Sequence, residues 1–155
     1  MRIRGWMAVL LALCAPVALT KAQSAFNAPG EPYVPRLGDI MSTIQSRHIK
    51  LWFAGKAANW QLADFELRQL KAALAEAASL YSGIPVSDVT MMTVPLGSVE
   101  DAIVAKDGKR FAKAAGELTD GCNACHRSMG RAFLVMRIPA EQPFADQVFA
   151  PQGSK

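Results

Sequence analysis

Apolar residues recur at intervals of three and four along the chain between residues 37 and 138, which is the pattern of helices with one buried face. The first of these stripes consists of Leu37, Met41, Ile44, His48, Leu51 and Gly55. A second stripe consists of Leu62, Phe65, Leu70, Ala73, Ala77 and Leu80. The sequence has no strand-like alternation of useful length. It therefore predicts an all-α chain.

Turn and capping residues mark the boundaries of the first two helices. A short turn at 55–58 precedes Asn59, whose side chain suits the N-cap of the next helix. Gly83 and Pro85 end that second helix. Residues 82–97 are then expected to form a long connection.

Two further helices are predicted after this connection. Residues 98–101 resemble a capping box that opens a short third helix, and Asp107 with Gly108 closes it. The fourth helix is expected to run from Lys109 until Pro139 stops it. Its apolar side consists of Phe111, Ala115, Leu118, Cys122, Cys125, Met129 and Met136. Together the four segments predict an up-and-down four-helix bundle.

The ends of the chain are expected to lie outside this bundle. Residues 1–22 have the pattern of a secretory signal peptide, because two arginines precede an apolar stretch at 6–19 that is short for a membrane span. Residues 23–36 are a proline-rich, irregular lead-in, and 37–138 form the helical domain. Residues 139–155 are expected to form an extended tail.

Removal of the signal peptide changes the charge of the chain. The full sequence has a formal net charge of +4. Cleavage after Ala22 removes Arg2, Arg4 and Lys21 and leaves 14 basic against 13 acidic residues, a net charge of +1. Nucleic acid as a partner has no electrostatic support at that charge. We expect no membrane contact after cleavage, and homodimer formation stays open.

The sequence Cys122-Asn123-Ala124-Cys125-His126 is a C-x-x-C-H motif, the attachment signature of c-type haem. Thiols three residues apart lie on one face of a helical turn and can add to the two vinyl groups of one porphyrin. His126 then directs its imidazole at the iron as the proximal ligand. Cys14 lies in the signal peptide, so the motif uses both thiols of the exported chain. The sequence predicts one covalent haem c.

Other uses of the motif fit the sequence less well. A thioredoxin-like redox pair needs a βαβ context. A structural zinc site needs four ligands, and His48 is the one further histidine or cysteine of the mature chain. A disulfide, which an oxidising compartment favours, leaves His126 unused. No carboxylate pair, Ser-His-Asp arrangement or phosphate-binding loop stands out, so we do not expect an enzyme.

With this motif late in a four-helix chain, the sequence resembles the cytochrome c′ family and its low-spin relatives over about residues 37–137. The resemblance implies a periplasmic bundle with haem attached to its last helix. The stretch Gln45–Gly55 is similar to a group of bacterial cytochromes of this kind. The short third helix and the tail after Ile138 depart from cytochrome c′.

The second axial position of the iron decides between functions. In an up-and-down bundle the turns at about Ala58 and Asp107 lie at the same end. His126 is 19 residues from its turn, whereas Met41 is 17 residues and His48 is 10 residues from the other. At about 1.5 Å per residue, Met41 comes within about 3 Å of the height of His126, and His48 falls about 13 Å short.

Met41 is therefore the candidate distal ligand, and His48 is the second candidate, better suited to be a buried, hydrogen-bonded histidine. The resemblance also implies Met41, because low-spin bundle relatives use a methionine early in the first helix. Met129 and Met136 share the predicted last helix with His126 and are not expected to reach the opposite face. We expect electron transfer to a redox partner protein that the sequence does not name. The alternative is a gas-binding protein of the cytochrome c′ type, which binds NO or CO at an open sixth site.

Overall fold

The structure is a computed structural model that describes residues 33–153, and it is all-helical within that range. The prediction of an all-α chain is confirmed for these residues. The predicted signal peptide at 1–22, and the lead-in as far as residue 32, lie outside the described residues. One compact unit begins at Val34 and contains every described helix. The five helices are α1 (Leu37–Lys56), α2 (Trp60–Leu80), α3 (Val86–Met91), α4 (Thr93–Val104) and α5 (Gly108–Ser128). Of these, none has the length and apolar character needed to cross a bilayer.

A three-residue turn joins α1 to α2, and the two helices pack along each other. Ala58 has a φ of 56°, and its N–H donates to the Gly55 carbonyl at 3.0 Å. The N–H of Asn59 donates to the Ala54 carbonyl at 2.9 Å, which completes a Schellman ending. The Asn59 side chain then accepts from the N–H of Leu62 at 3.1 Å. The predicted turn and N-cap are confirmed, and the short turn makes the pair an antiparallel hairpin.

The turn between α4 and α5 has the same construction. Lys106 has a φ of 52°, and its N–H donates to Ile103, while the N–H of Asp107 donates to Ala102. The Asp107 carboxylate accepts from the first N–H groups of α5, that of Lys109 at 2.9 Å. The α4–α5 hairpin therefore repeats the α1–α2 hairpin. The two hairpins meet because α4 packs on α2 and α5 packs on α1.

The prediction of a long connection at 82–97 was wrong, because most of this stretch is helical. Helix α3 occupies its middle, α4 begins at Thr93, and the predicted capping box at 98–101 lies inside α4. Pro85 is the N-cap of α3, and Pro95 lies in the first turn of α4. Both are positions where the missing N–H of proline would have no partner in the helix, so neither residue breaks one.

The predicted end of the last helix at Pro139 was also wrong, because α5 ends at Ser128. Gly130 takes the left-handed conformation with a φ of 68°. Its N–H donates to Arg127 at 3.1 Å, and the N–H of Arg131 donates to His126 at 2.6 Å. This third Schellman ending turns the chain away from the helix axis. No helix or strand follows as far as residue 153.

The core lies between the facing sides of α1, α2, α4 and α5. The predicted stripe of α1 is confirmed, since Ile44, His48 and Leu51 are buried. The predicted stripe of α2 is wrong in its first turns, where Phe65 is 42% exposed and Glu66 is buried. The fully buried larger side chains are Phe111, Leu51, Leu67, Leu70, Leu118, Glu66 and Val99.

Glu66 remains inside the core because it has a charged partner on the neighbouring helix. Arg47 Nη1 lies 3.0 Å from Glu66 Oε2, and this pair joins α1 to α2. A buried carboxylate without such a partner would carry a large desolvation cost.

The segment after α5 returns along α1 to the turn end of the bundle. The Phe149 ring is buried, with its centroid 6.0 Å from that of Phe53. Asn59 Nδ2 donates to the Phe149 carbonyl at 3.1 Å. Lys50 Nζ lies 4.6 Å from the centre of the Phe144 ring. A hydrogen bond from Asn59, a ring contact with Phe53 and a cation–π contact with Lys50 thus attach the tail to the α1–α2 hairpin.

Gly55→Ala is expected to destabilise the protein by about 1–3 kcal/mol, because a methyl group at Gly55 would overlap the ring of the buried Phe111. Gly116→Ala is the matched control: it is also inside a helix, and it has open space around its Cβ position. The control should gain about 0.5–1 kcal/mol from helix propensity. Denaturant unfolding of both variants measures the difference. Equal effects would contradict the close packing of α1 on α5.

Candidate functional site

The motif residues Cys122, Cys125 and His126 lie together in the last two turns of α5. Both cysteines are free thiols, and all three side chains are partly buried. Cys122 packs against the hydrophobic core. Helical spacing places the two thiols three residues apart on one side of α5, as the sequence analysis expects.

Both thiols favour their protonated form. Burial raises the pKa of Cys122 to about 11, and the neighbouring Cys125 adds to the rise. Burial also raises the pKa of Cys125, as does the negative charge of Asp88. Because the thiolate is the form that attacks a disulfide or binds a metal, the raised pKa values lower the reactivity of both thiols toward such partners.

The imidazole of His126 is held by the backbone that follows α5. Its Nδ1 lies 2.8 Å from the carbonyl oxygen of Leu134. A carbonyl can only accept, so Nδ1 carries the hydrogen and Nε2 of the neutral ring carries a lone pair. Nε2 makes no hydrogen bond to any residue from 33 to 153. This is the tautomer in which a histidine binds a metal through Nε2.

A second contact holds the same backbone segment, which we call the strap and define as residues 131–137. Asn123 Nδ2 donates to the Met136 carbonyl at 3.0 Å, and the Met136 N–H donates to Asn123 Oδ1 at 2.7 Å. The strap therefore folds back onto α5 and contacts two residues of the motif. The sequence did not reveal the strap, because its apolar residues keep helical spacing.

His48 is buried and hydrogen-bonded to α5. Its Nε2 lies 2.8 Å from Thr119 Oγ1, and that hydroxyl donates its hydrogen to the Ala115 carbonyl at 2.8 Å. His48 must therefore be the donor, which makes Nε2 the protonated nitrogen. Its Nδ1 is buried and has no partner among the described residues. Burial lowers the pKa of His48, so the ring is neutral.

Two contacts set the register between α1 and α5. Gly55 faces the Phe111 ring, and His48 faces Thr119. From the first contact to the second, the residue number decreases by seven on α1 and increases by eight on α5. The two helices therefore run antiparallel.

The same register relates the candidate distal ligand to the motif. Seven residues are about two helical turns and return to the same face of a helix. One such step leads from His48 to Met41 on α1 and from Thr119 to His126 on α5. Met41 is half-buried and packs against the hydrophobic core. His48 lies two turns from Met41 along α1, and the position of Met41 opposite the motif stays a prediction.

Helix α3, which the sequence analysis did not foresee, packs beside the motif. The Asp88 carboxylate is buried and accepts from the Ser128 hydroxyl at 2.6 Å. Met92 at the end of α3 is also buried, and its sulfur would lie 3.0 Å from a Cβ placed on Gly121. The sequence gives no signal for the Asp88–Ser128 hydrogen bond, because its two residues are 40 positions apart.

Two methionines of the predicted last helix, Met129 and Met136, lie at the end of α5 and beyond it. Met129 is the C-cap of α5, and Met136 belongs to the strap. The prediction that both share a helix with His126 was wrong for Met136, because the left-handed Gly130 turns the chain away before it. Met129 is at the helix boundary, where its N–H still donates to the Cys125 carbonyl at 3.0 Å. The Met136 backbone is instead the partner of Asn123.

A cleft of about 410 Å³ lies between α1 and the chain at 135–141. Its lining from α1 consists of Gln45, His48 and Ile49. Neither Met41 nor the motif residues line it, so the structure does not place Met41 and His126 in this cleft. Among residues 33–153, no three histidine, cysteine, aspartate or glutamate side chains cluster as metal ligands would.

Comparison with known proteins adds no relative: no family model, no curated protein and no solved structure matches the chain.

The buried His48 predicts a pH dependence of stability. Because its pKa is lower in the folded than in the unfolded chain, the unfolded chain binds more protons as the pH falls below about 6.5. Stability should therefore fall between pH 7.5 and pH 5.5. His48→Gln keeps a donor for Thr119 without titrating, so it should show a flatter profile. Urea unfolding of both proteins across this range checks the expectation, and equal slopes would contradict it.

Proposed function

We propose that this chain is an exported c-type cytochrome that carries one covalent haem and transfers single electrons through iron ligated by His126 and Met41. The observation that supports it most is the C-x-x-C-H motif at the end of α5, with two free thiols beside an imidazole whose Nδ1 bonds to the Leu134 carbonyl. Haem, when bound, supplies the one-electron chemistry of iron between its ferrous and ferric states.

The residues of the site fit this group. Cys122 and Cys125 are free thiols on one side of the helix, as addition to the two vinyl groups of one porphyrin requires. The Leu134 carbonyl holds the hydrogen of His126 on Nδ1, which leaves Nε2 to bind the iron.

Met41 supports electron transfer over gas binding. The proposal of Met41 is supported by a residue count from the His48–Thr119 contact, because Met41 and His126 each lie seven residues from it, in opposite chain directions. A thioether there would occupy the sixth position and favour fast one-electron exchange. His48 is a poorer ligand, because its Nε2 hydrogen already bonds to Thr119 and its Nδ1 is enclosed.

The proposed location is the periplasm, and it depends on the sequence of residues 1–22. Covalent haem attachment in bacteria takes place outside the cytoplasm, so the signal peptide and the motif support each other. The proposed role is electron transfer without catalysis, and the redox partner is another protein.

The optical spectrum tests the axial ligands. The ferric protein should be low-spin with a methionine–iron charge-transfer band, and the reduced protein should not bind carbon monoxide. Met41→Ala should lose the band, become high-spin and bind carbon monoxide, because the sixth position is then open. Met91→Ala is the control, since Met91 is 39% exposed at the end of α3. A high-spin spectrum of the unaltered protein would contradict methionine ligation and favour the gas-binding alternative.

Haem attachment is tested separately from ligation. The double variant Cys122→Ser with Cys125→Ser should lose its haem in acidic acetone, because no thioether holds it. His126→Ala should keep the haem through that extraction but show an altered spectrum, because thioethers and the axial bond are separate links. If the double variant retained haem in acidic acetone, covalent attachment at this motif would be disproved.

A further inference from the structure

The strap has few apolar contacts that could hold it in place. Phe133 and Val135 are each 75% exposed, and Leu134 is 48% exposed. The strap also has no helix or strand of its own. Hydrogen bonds must therefore fix its position.

These hydrogen bonds act at both ends of the strap. At its start, the N–H of Arg131 donates to the His126 carbonyl at 2.6 Å. Near its end, Asn123 bonds to both the N–H and the carbonyl of Met136. Between them, the N–H of Leu134 donates to the Arg131 carbonyl at 2.8 Å and closes a turn. The Leu134 carbonyl is thereby aimed at the His126 ring.

We infer that Asn123 is a positioning residue for His126: by clamping Met136 it holds the Leu134 carbonyl on Nδ1 and so fixes the tautomer and orientation of the imidazole. Asparagine suits this task because one short side chain carries both a donor and an acceptor. A hydrogen bond from Nδ1–H to a carbonyl makes Nε2 a stronger base. Asn123 therefore acts on the His126 imidazole through two intervening residues, Met136 and Leu134, without touching it.

The consequence for the iron rests on the proposed function. A more basic Nε2 stabilises the ferric state, so loosening the strap should raise the reduction potential. The effect on the imidazole itself does not depend on haem, because the Nδ1–H bond belongs to the protein alone.

The test compares Asn123→Ala with the unaltered protein and with Gln142→Ala. Gln142 is a matched control, because its amide also bonds to nearby backbone, at Phe144, in the chain after α5 but away from His126. NMR of the His126 ring measures the exchange of the Nδ1 hydrogen with solvent, and a redox titration measures the potential. In Asn123→Ala we expect exchange about three- to tenfold faster. At a fixed potential we expect a ferrous-to-ferric ratio about three- to tenfold higher, tenfold being about 59 mV.

Gln142→Ala should leave both quantities unchanged. An exchange rate or a potential of Asn123→Ala that equals the control overturns the inference. If Asn123→Ala does not accumulate, Asn123→Asp decides by exchange alone: it keeps the acceptor and loses the donor, so an unchanged rate overturns the inference. A chain without covalent haem would disprove the proposed function, and ring exchange in that chain would still test the clamp.

Discussion

The hydrogen bond between His48 and Thr119 fixes how α1 packs against α5. The hydroxyl of Thr119 donates its hydrogen to the Ala115 carbonyl, so its oxygen is left to accept a hydrogen bond from His48 Nε2. This hydrogen bond forms at one relative position of the two helices. A slide of one turn, about 5.4 Å, would leave buried polar groups unpaired at a cost of about 1–3 kcal/mol each. The predicted level of Met41 relative to His126 rests on a residue count from this contact.

The two ends of the bundle differ in local structure. The turns after α1 and α4 lie at one end, and both combine a left-handed residue with an N-capping asparagine or aspartate. Irregular structure gathers near the motif at the other end, where α3 is tied to Ser128 through Asp88 and the strap is tied to Asn123. The short turns keep the helices in place, and the irregular segments shape the surroundings of His126.

What the sequence could predict depended on how local each signal is. The stripe of α1, the Asn59 cap and the start of the last helix were predicted correctly, because periodicity and capping act within a few residues. The burial of Glu66 in place of Phe65 was missed, because it depends on Arg47 from another helix. The early end of α5 was missed because Met129 and Met136 imitate a continuing stripe, and only the φ of Gly130 and the Asn123 contact reveal the reversal. The thiols and His126 were named from the motif, but the partner of Nδ1 was not.

The contacts of the strap and the contact between α1 and α5 close loops of very different length. Asn123 and Met136 are 13 residues apart, and His126 and Leu134 are eight apart, whereas His48 and Thr119 are 71 apart. Each doubling of a closed loop adds about 0.6 kcal/mol of entropic cost, so the short loops close at less cost and sooner. The surroundings of His126 can thus form from the last stretch of helix and the residues after it. Contacts between α1 and α5 wait for the whole bundle, so partial unfolding of α1 would break the His48–Thr119 contact and leave the strap on α5 in place.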